Sequence, residues 1–253
     1  MNQVERANTF STLHVKGAPL VLYNAWDAGS AKAVADAGAP AIATSSWAVA
    51  AAHGYEDGEA IPIALVDQII ARMAAMLEVP LTVDFEGGYG ENVDILAANV
   101  SKLLDAGVIG INFEDRVVSG EGLHGVEQQS RRIAAIRKAA SERGIPLFIN
   151  ARTDLFLASD AEPSSLMNAA KERAAAYADA GASGFFVPGL RSEALIRDIC
   201  AASALPVNVM MFDGVPEPSK LSELGVARIS FGPIPFIKAM EALKAAATTL
   251  YAG

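Results

Sequence analysis

The chain has 253 residues, of which 52% are apolar and 19% charged, with a net charge of −9. This composition supplies a large core and excludes a disordered chain, and the acidic balance argues against a nucleic-acid or anionic-membrane surface. A single cysteine, Cys200, excludes an intrachain disulfide. With no apolar signal core after Met1 and no apolar run long enough to cross a bilayer, a cytoplasmic chain without membrane association is expected.

Two phrases alternate along the chain. One puts proline at the head of an apolar run: Ala18-Pro19-Leu20-Val21, Val79-Pro80-Leu81-Thr82, Ile145-Pro146-Leu147-Phe148 and Leu205-Pro206-Val207-Asn208. Proline is tolerated at the first residue of a strand. The other closes a helical stretch on glycine before the next apolar run: Ala35-Asp36-Ala37-Gly38, Leu104-Asp105-Ala106-Gly107, Ala178-Asp179-Ala180-Gly181 and Ser222-Glu223-Leu224-Gly225. Glycine there is the left-handed residue that ends a helix. The eight openers predict strands near 19–24, 40–44, 80–85, 108–113, 146–151, 183–187, 206–210 and 227–231, with helical patterns such as 66–77 and 94–105 between them. Apolar strands alternating with helices build a parallel sheet covered on both faces. Eight units in this length predict an α/β chain folded as one (β/α)8 TIM-type barrel over residues 1–253. The alternative, an open doubly wound sheet, lacks a G-x-G-x-x-G turn after its first strand. The polar, glycine-rich stretch 119–125 is expected to be a mobile loop after the fourth strand.

Chemistry in such barrels gathers at the C-terminal strand ends. Those ends carry Asn24-Ala25-Trp26-Asp27, Thr44-Ser45-Ser46-Trp47, Asp84 with Glu86, Glu114-Asp115, Asn150-Ala151-Arg152-Thr153-Asp154, Asn208 and Ser230-Phe231-Gly232-Pro233. Asp84 and Glu86, two apart, project to one side of a strand, and Glu114 ends the neighbouring one. Buried carboxylates without cationic partners point to a hard ion held by oxygen, directly or through water, Mg2+ or Mn2+. The competing explanation is helix caps and surface ion pairs. Arg152 stands opposite this cluster and can grip a carboxylate or oxyanion, or pair with Asp154 or Glu114, or both. The hydroxyls of Thr44-Ser45-Ser46 suit an anion nest as well as an ordinary turn. No lysine falls on a strand end, which disfavours a Schiff-base aldolase, and His14, His53 and His124 are too scattered for zinc.

The strings D-x-E-x-G-Y-G, E-D and A-R-T-D, in this order, resemble the isocitrate lyase/phosphoenolpyruvate mutase superfamily. The resemblance runs from Asn24 to Pro233. It implies a (β/α)8 barrel that binds Mg2+ and an α-oxo or α-hydroxy acid, and that cleaves or forms a C–C or P–C bond beside a pyruvate enolate. By position, Asp84 resembles the main metal carboxylate and Glu86 the second acidic group. Asp57 and Glu114 match further acidic positions that hold the ion, partly through water. Ser45, Ser46 and Trp47 match the loop that binds the substrate carboxylate, Arg152 the arginine near the enolate oxygen, and 116–125 the gating loop. Asn208 and Trp26 complete the expected substrate contacts, Trp26 or Trp47 filling the space of an aromatic residue replaced here by Ala43.

The loop departs from the family pattern. Lyases carry K-K/R-C-G-H there, with the cysteine as general acid. Here His124 falls on the histidine, Gly122 replaces the cysteine, and Gly120-Glu121 replace the basic pair. The loop lysine of phosphonate-processing members is also missing. The expectation is therefore a Mg2+-dependent lyase or decarboxylase of a small α-oxo or related dicarboxylic acid, using Arg152 and Glu114, with His124 or water protonating the enolate. A phosphonomutase acting on a P–C bond is one alternative. A barrel that binds oxo acid and metal with little turnover is another. The resemblance also implies a homo-oligomer, dimer or tetramer; the apolar spacing predicts a helix at 236–251, either exchanged between copies as in the family or packed on its own barrel.

Overall fold

The computed structural model describes residues 1–252. Eight parallel strands follow one another around a barrel: β1 Leu20–Leu22, β2 Ile42–Ala43, β3 Leu81–Asp84, β4 Gly110–Glu114, β5 Phe148–Arg152, β6 Gly184–Phe186, β7 Val207–Met210 and β8 Arg228–Ser230. The ladder runs β1-β8-β7-β6-β5-β4-β3-β2, and a parallel bridge between Ala25 and Thr44 closes the remaining seam. Among the described residues ten helices accompany them: α1 Gln3–Thr12, α2 Ala28–Asp36, α3 Ser46–Ala52, α4 Ile63–Met76, α5 Val93–Asp105, α6 Val126–Glu142, α7 Pro163–Asp179, α8 Glu193–Ala202, α9 Pro218–Glu223 and α10 Ile234–Tyr251. This is the (β/α)8 barrel that the alternating phrases predict. Gly38, Gly107, Gly181 and Gly225 all adopt left-handed backbone one residue past the caps of α2, α5, α7 and α9.

The strands are shorter than the apolar runs suggest. The clearest correction concerns β3, whose ladder stops at Asp84. Glu86 does not continue the strand beside Asp84; it lies in a turn with φ 49°, so the alternation argument for a shared side fails there. The chain at 119–125 is also more ordered by pairing than an open loop. Arg116 bridges Leu123, and Val117 N–H donates to Gly122 O at 3.0 Å, folding the segment back as a small hairpin.

α1 seals the N-terminal end of the barrel. Its Phe10 is fully buried with Leu20, Leu22, Ile109 and Phe148, edge-on to Phe148 at 5.3 Å. The Gln3 amide ties α1 to Leu104 O and Val108 O. The opposite mouth stays open and carries the polar strand ends. α10 touches the barrel through its first turn, where Pro235 is buried and Phe236 meets Trp26 and Trp47 edge-on. Beyond it, Met240, Leu243 and Leu250 are exposed, and so are Val21 and Tyr23 on the outer face of β1.

Candidate active site

At the C-terminal mouth a cavity of ≈ 160 Å³ is lined by Asn24, Ser45, Ser46, Trp47, Asp57, Asp84, Asn112, Arg152, Phe186, Met210, Ser230, Gly232 and Pro233. Each wall has a local cause. Asn24, just past β1, donates to Thr44 O at 2.7 Å and accepts from Phe231 N and Gly232 N at 2.9 and 3.0 Å, stitching the ends of β1, β2 and β8 together. Ser45 caps α3, its hydroxyl accepting from Ala48 N at 3.4 Å. Ser46 gives both its N–H and its hydroxyl to Asp84 Oδ2, at 3.0 and 2.8 Å. Asn112 donates to Asp84 Oδ1 at 3.2 Å, and Thr44 Oγ1 accepts from Asp84 N at 2.8 Å. Asp84 is therefore held on both oxygens before any ligand arrives. Much of the Ser46 hydrogen-bonding capacity expected for a substrate is spent on that carboxylate.

Arg152 ends β5 and makes both ion pairs that the sequence leaves open. Its Nε and Nη2 donate to Asp154 at 2.5 and 2.9 Å, and its Nη1 lies 3.0 Å from Glu114 Oε2. Burial works against its charge, but Glu114, Asp154 and Asp84 outweigh burial and hold the guanidinium above its usual range. Glu114, also buried, is raised above the usual carboxylate range: desolvation dominates, Arg152 opposes it, and Asp154, Asp84 and Asp57 add to it.

Glu86 is 3% exposed. Its Oε2 accepts from Glu59 N, and its Oε1 has no partner. Burial first, then Asp57, Asp84, Glu114 and Glu59, push its carboxyl up to about 8. Asp57 stands at the exposed rim, raised by partial desolvation and next by the Asp84 charge. Among the described residues the three non-glycine positions with left-handed backbone, Glu59, Glu86 and Tyr89, interlock here. Tyr89 N donates to Glu59 Oε1 at 2.7 Å, and Glu59 N donates to Glu86. Such conformations cost about 1–3 kcal/mol each and tend to collect at functional sites.

The expected metal carboxylates are each engaged within the protein. Among the described residues no three His, Cys, Asp or Glu side chains stand close enough to grip one ion directly. Asp84 is committed to Ser46 and Asn112, Glu114 to Arg152, and Glu86 to Glu59. A divalent cation nevertheless fits the chemistry. The donors are hard oxygens, Glu86 Oε1 is buried without a partner, and the carboxylates raise one another. Mg2+ retains several waters and is held by one or two carboxylates.

Other expected contacts fall elsewhere. Asn208 lies beneath the cavity, its amide engaged with Ser230 Oγ at 3.1 Å. Trp26 packs on Phe236 outside the lining. His124 lines a neighbouring cavity of ≈ 370 Å³ with Glu59, Glu91, Arg116 and Arg132. The loop turns back there: His124 N donates to Asp115 O at 2.7 Å, and Arg173 reaches His124 O and Asp115 Oδ2. Burial and the Arg132 charge lower the His124 imidazole. Sequence reasoning missed Asn112 and Arg228, whose signal is a polar residue inside an otherwise apolar strand.

The family model described as Phosphoenolpyruvate phosphomutase matches residues 10–251. The chain belongs to this family, within the PEP mutase/isocitrate lyase superfamily. A crystal structure from Burkholderia cenocepacia J2315, designated a phosphonomutase, is 50% identical, with a TM-score of 0.94 over 96% of this chain and 99% of that one. A Mycobacterium tuberculosis protein of uncharacterised activity is 35% identical over 97% of this chain and 90% of its own length. The Escherichia coli 2-methylisocitrate lyase is 29% identical over 72% of this chain, which spans 61% of that enzyme. Members of the superfamily are lyases and mutases that act on small acids. Among the described residues no helix is long and apolar enough to cross a membrane.

Proposed function

We propose that this phosphoenolpyruvate phosphomutase family member is a divalent-cation-dependent carbon–carbon lyase or decarboxylase. Its substrate is a small α-oxo or related dicarboxylic acid, cleaved beside the oxo group through a pyruvate-type enolate. The observation that carries this reading is the ≈ 160 Å³ mouth cavity, lined at once by Asp84, Asp57 and Arg152. Asp84 would hold Mg2+ or Mn2+, with Asp57, Glu86 and Glu114 contributing through water. When bound, the cation supplies Lewis-acid polarisation of the oxo group. Arg152, held rigid by Asp154 and Glu114, stabilises the oxyanion as negative charge develops on it. The Ser45 hydroxyl, which accepts from Ala48 N and keeps its proton free to donate, and the second Asn24 Nδ2 proton give the cavity hydrogen-bond donors for a substrate carboxylate. The loop brings no cysteine to this cavity, and His124 lines the adjoining one. Loss of CO2 needs no protein acid on the departing fragment, and water entering at the Asp57 rim protonates the enolate.

A second reading, a P–C bond enzyme, is favoured by the 50% identity to the Burkholderia protein designated a phosphonomutase. The experiment is a panel of oxaloacetate, phosphonopyruvate, methylisocitrate and related acids, each with Mg2+ and with EDTA, scored for pyruvate and, with phosphonopyruvate, also for phosphoenolpyruvate and inorganic phosphate. Metal-dependent pyruvate from a carbon acid supports the lyase. Metal-dependent conversion of phosphonopyruvate alone supports the P–C enzyme. Tight binding without turnover identifies a carrier and refutes both.

The surface also supports a homo-oligomer. Val21 and Tyr23 leave the outer face of β1 bare at 44% and 40% exposure, while α10 runs out with Met240, Leu243 and Leu250 exposed. An apolar helix and an uncovered strand face on one chain are complementary if two copies exchange the helix.

A further inference from the structure

We propose that Arg228, in the barrel core, is a positioning residue for the mouth: it acts through Asn112 to fix the orientation of Asp84. The inference rests on the reading of Asp84 as the site carboxylate.

Arg228 opens β8 and is the largest fully buried side chain, at 1% exposure. β8 and β4 are four places apart in the ring of eight strands and so face each other across the lumen. The arginine spans that lumen and donates from Nη2 to Asn112 Oδ1 at 3.1 Å. Among the described residues it forms no salt bridge. Its Nε and Nη1 have no partner, and its guanidinium lies 5.9 Å from the Phe10 ring. A buried cation without an ionic partner is costly. Its retention calls for a use that an apolar residue could not serve.

Asn112 shows that use. It stands in register with Asp84 on β3 and with Asn150 on β5. Its Oδ1 accepts from Arg228 and, at 2.9 Å, from Asn150 Nδ2. Two donors on one side fix which end of the amide is oxygen. The Nδ2 is thereby turned to Asp84, where it donates to Oδ1 at 3.2 Å. A flipped amide would present its NH2 to two donors and its oxygen to a carboxylate. Arg228 makes that flip unfavourable, and its charge balances Asp84 across a single bridging side chain. With Ser46 on Oδ2, Asp84 is then locked at both oxygens.

The test is a double-mutant cycle of Arg228→Met and Asn112→Ala, read as the Mn2+ dissociation constant by electron paramagnetic resonance on proteins checked by circular dichroism. Outer partners of metal ligands typically change affinity by about 10–100-fold. Each single variant should weaken Mn2+ binding about tenfold, and the double variant should be no weaker than Asn112→Ala. Multiplying effects, about a hundredfold in the double variant, or an unchanged constant in Arg228→Met, overturn the proposal. Arg228→Lys, which keeps charge and a donor, should bind within about threefold of the parent. If Arg228→Met does not fold, the lysine variant and the parent protein decide. In the parent, the Asn112 side-chain amide protons should give one slowly exchanging pair by NMR, assigned by their loss in Asn112→Ala. Rapid exchange or two orientations overturn the proposal. Absence of Mn2+ binding by the parent sinks the site reading itself, whereas binding indifferent to Arg228 sinks this inference alone.

Discussion

Glu86→Gln removes a charge from the mouth while keeping the side chain's shape and an oxygen that can accept from Glu59 N. The Glu86 carboxyl rises from 4.5 to about 8, through burial first and then Asp57, Asp84, Glu114 and Glu59. A rise of that size corresponds to roughly 4–5 kcal/mol at about 1.4 kcal/mol per unit. Relaxation and water entry reduce it, so about 2–4 kcal/mol is expected. The folded carboxyl holds its proton more tightly than the unfolded one. Its contribution to stability is complete below about pH 4.5, is lost as the pH rises towards about 8, and is flat beyond. Glutamine cannot lose that proton. In EDTA the two proteins should melt close together near pH 5, and the variant should melt on the order of 5–10 °C higher at pH 8.5, given about 2–4 °C per kcal/mol for a chain of this size. Thermal melts by circular dichroism across that range measure it. Mg2+ at pH 8.5 should raise the parent more than the variant. A gap that stays constant with pH, or a parent that gains on the variant as pH rises, would refute the idea that Glu86 is buried among uncompensated charges.

Asp84→Ala should fold, since what it removes at the mouth is the hydrogen bonds from Ser46 and Asn112 and no apolar packing, yet it should lose at least about a hundredfold in turnover together with the melting-temperature rise on adding Mg2+; both are read on the same preparation. Arg152→Lys keeps a charge but not the two-point grip on Asp154 or the planar fork. It should lower kcat/KM by roughly a hundredfold, about 3 kcal/mol, in steady-state assays. Met240→Glu with Leu243→Glu places charge on the exposed face of α10. Light scattering after size exclusion should show the parent as a dimer or tetramer and the variant as a monomer.

The fold was legible because each βα unit announces itself twice, by a proline entering a strand or a glycine leaving a helix. Asp84, Glu114 and Arg152 were legible because each is a charged residue at the end of an apolar run. Glu86 was misplaced for a specific reason: alternation along a strand assumes that the strand continues. The string Glu86-Gly87-Gly88-Tyr89-Gly90 carries the turn signal, and the backbone turns left-handed at Glu86, Gly88 and Tyr89. Counting along the loop gives the register of His124 but not where the loop folds. Pairing of Arg116 with Leu123, and Arg173 at its base, swing His124 into the second cavity. Arg228 was overlooked because Val226-Ala227-Arg228-Ile229-Ser230 reads as a strand with one odd residue. That its partner lies on β4 follows only from closure of the ring.

The charge inventory of the mouth couples its two ligands. Asp57, Asp84, Glu86, Glu114 and Asp154 outnumber Arg152 at the mouth and Arg228 beneath it, and the Arg152 guanidinium is already shared between Glu114 and Asp154. An anionic acid entering such a site meets net repulsion unless the carboxylates are protonated or a cation is present. Burial and mutual repulsion push Glu86 and Glu114 towards protonation, so proton and cation are alternative ways to relieve the same repulsion. Cation and acid should therefore favour each other's binding, and by linkage to the same extent. Calorimetric titration with oxalate, a small diacid that cannot undergo the cleavage, should show affinity at pH 8 rising at least about tenfold when Mg2+ is present, a coupling of about 1.4 kcal/mol. Near pH 6, where Glu86 keeps its proton, the dependence on Mg2+ should shrink. Equal oxalate affinity with and without Mg2+ at pH 8 would mean that the arginines outweigh the carboxylates without a cation, and the electrostatic picture of the mouth would be wrong.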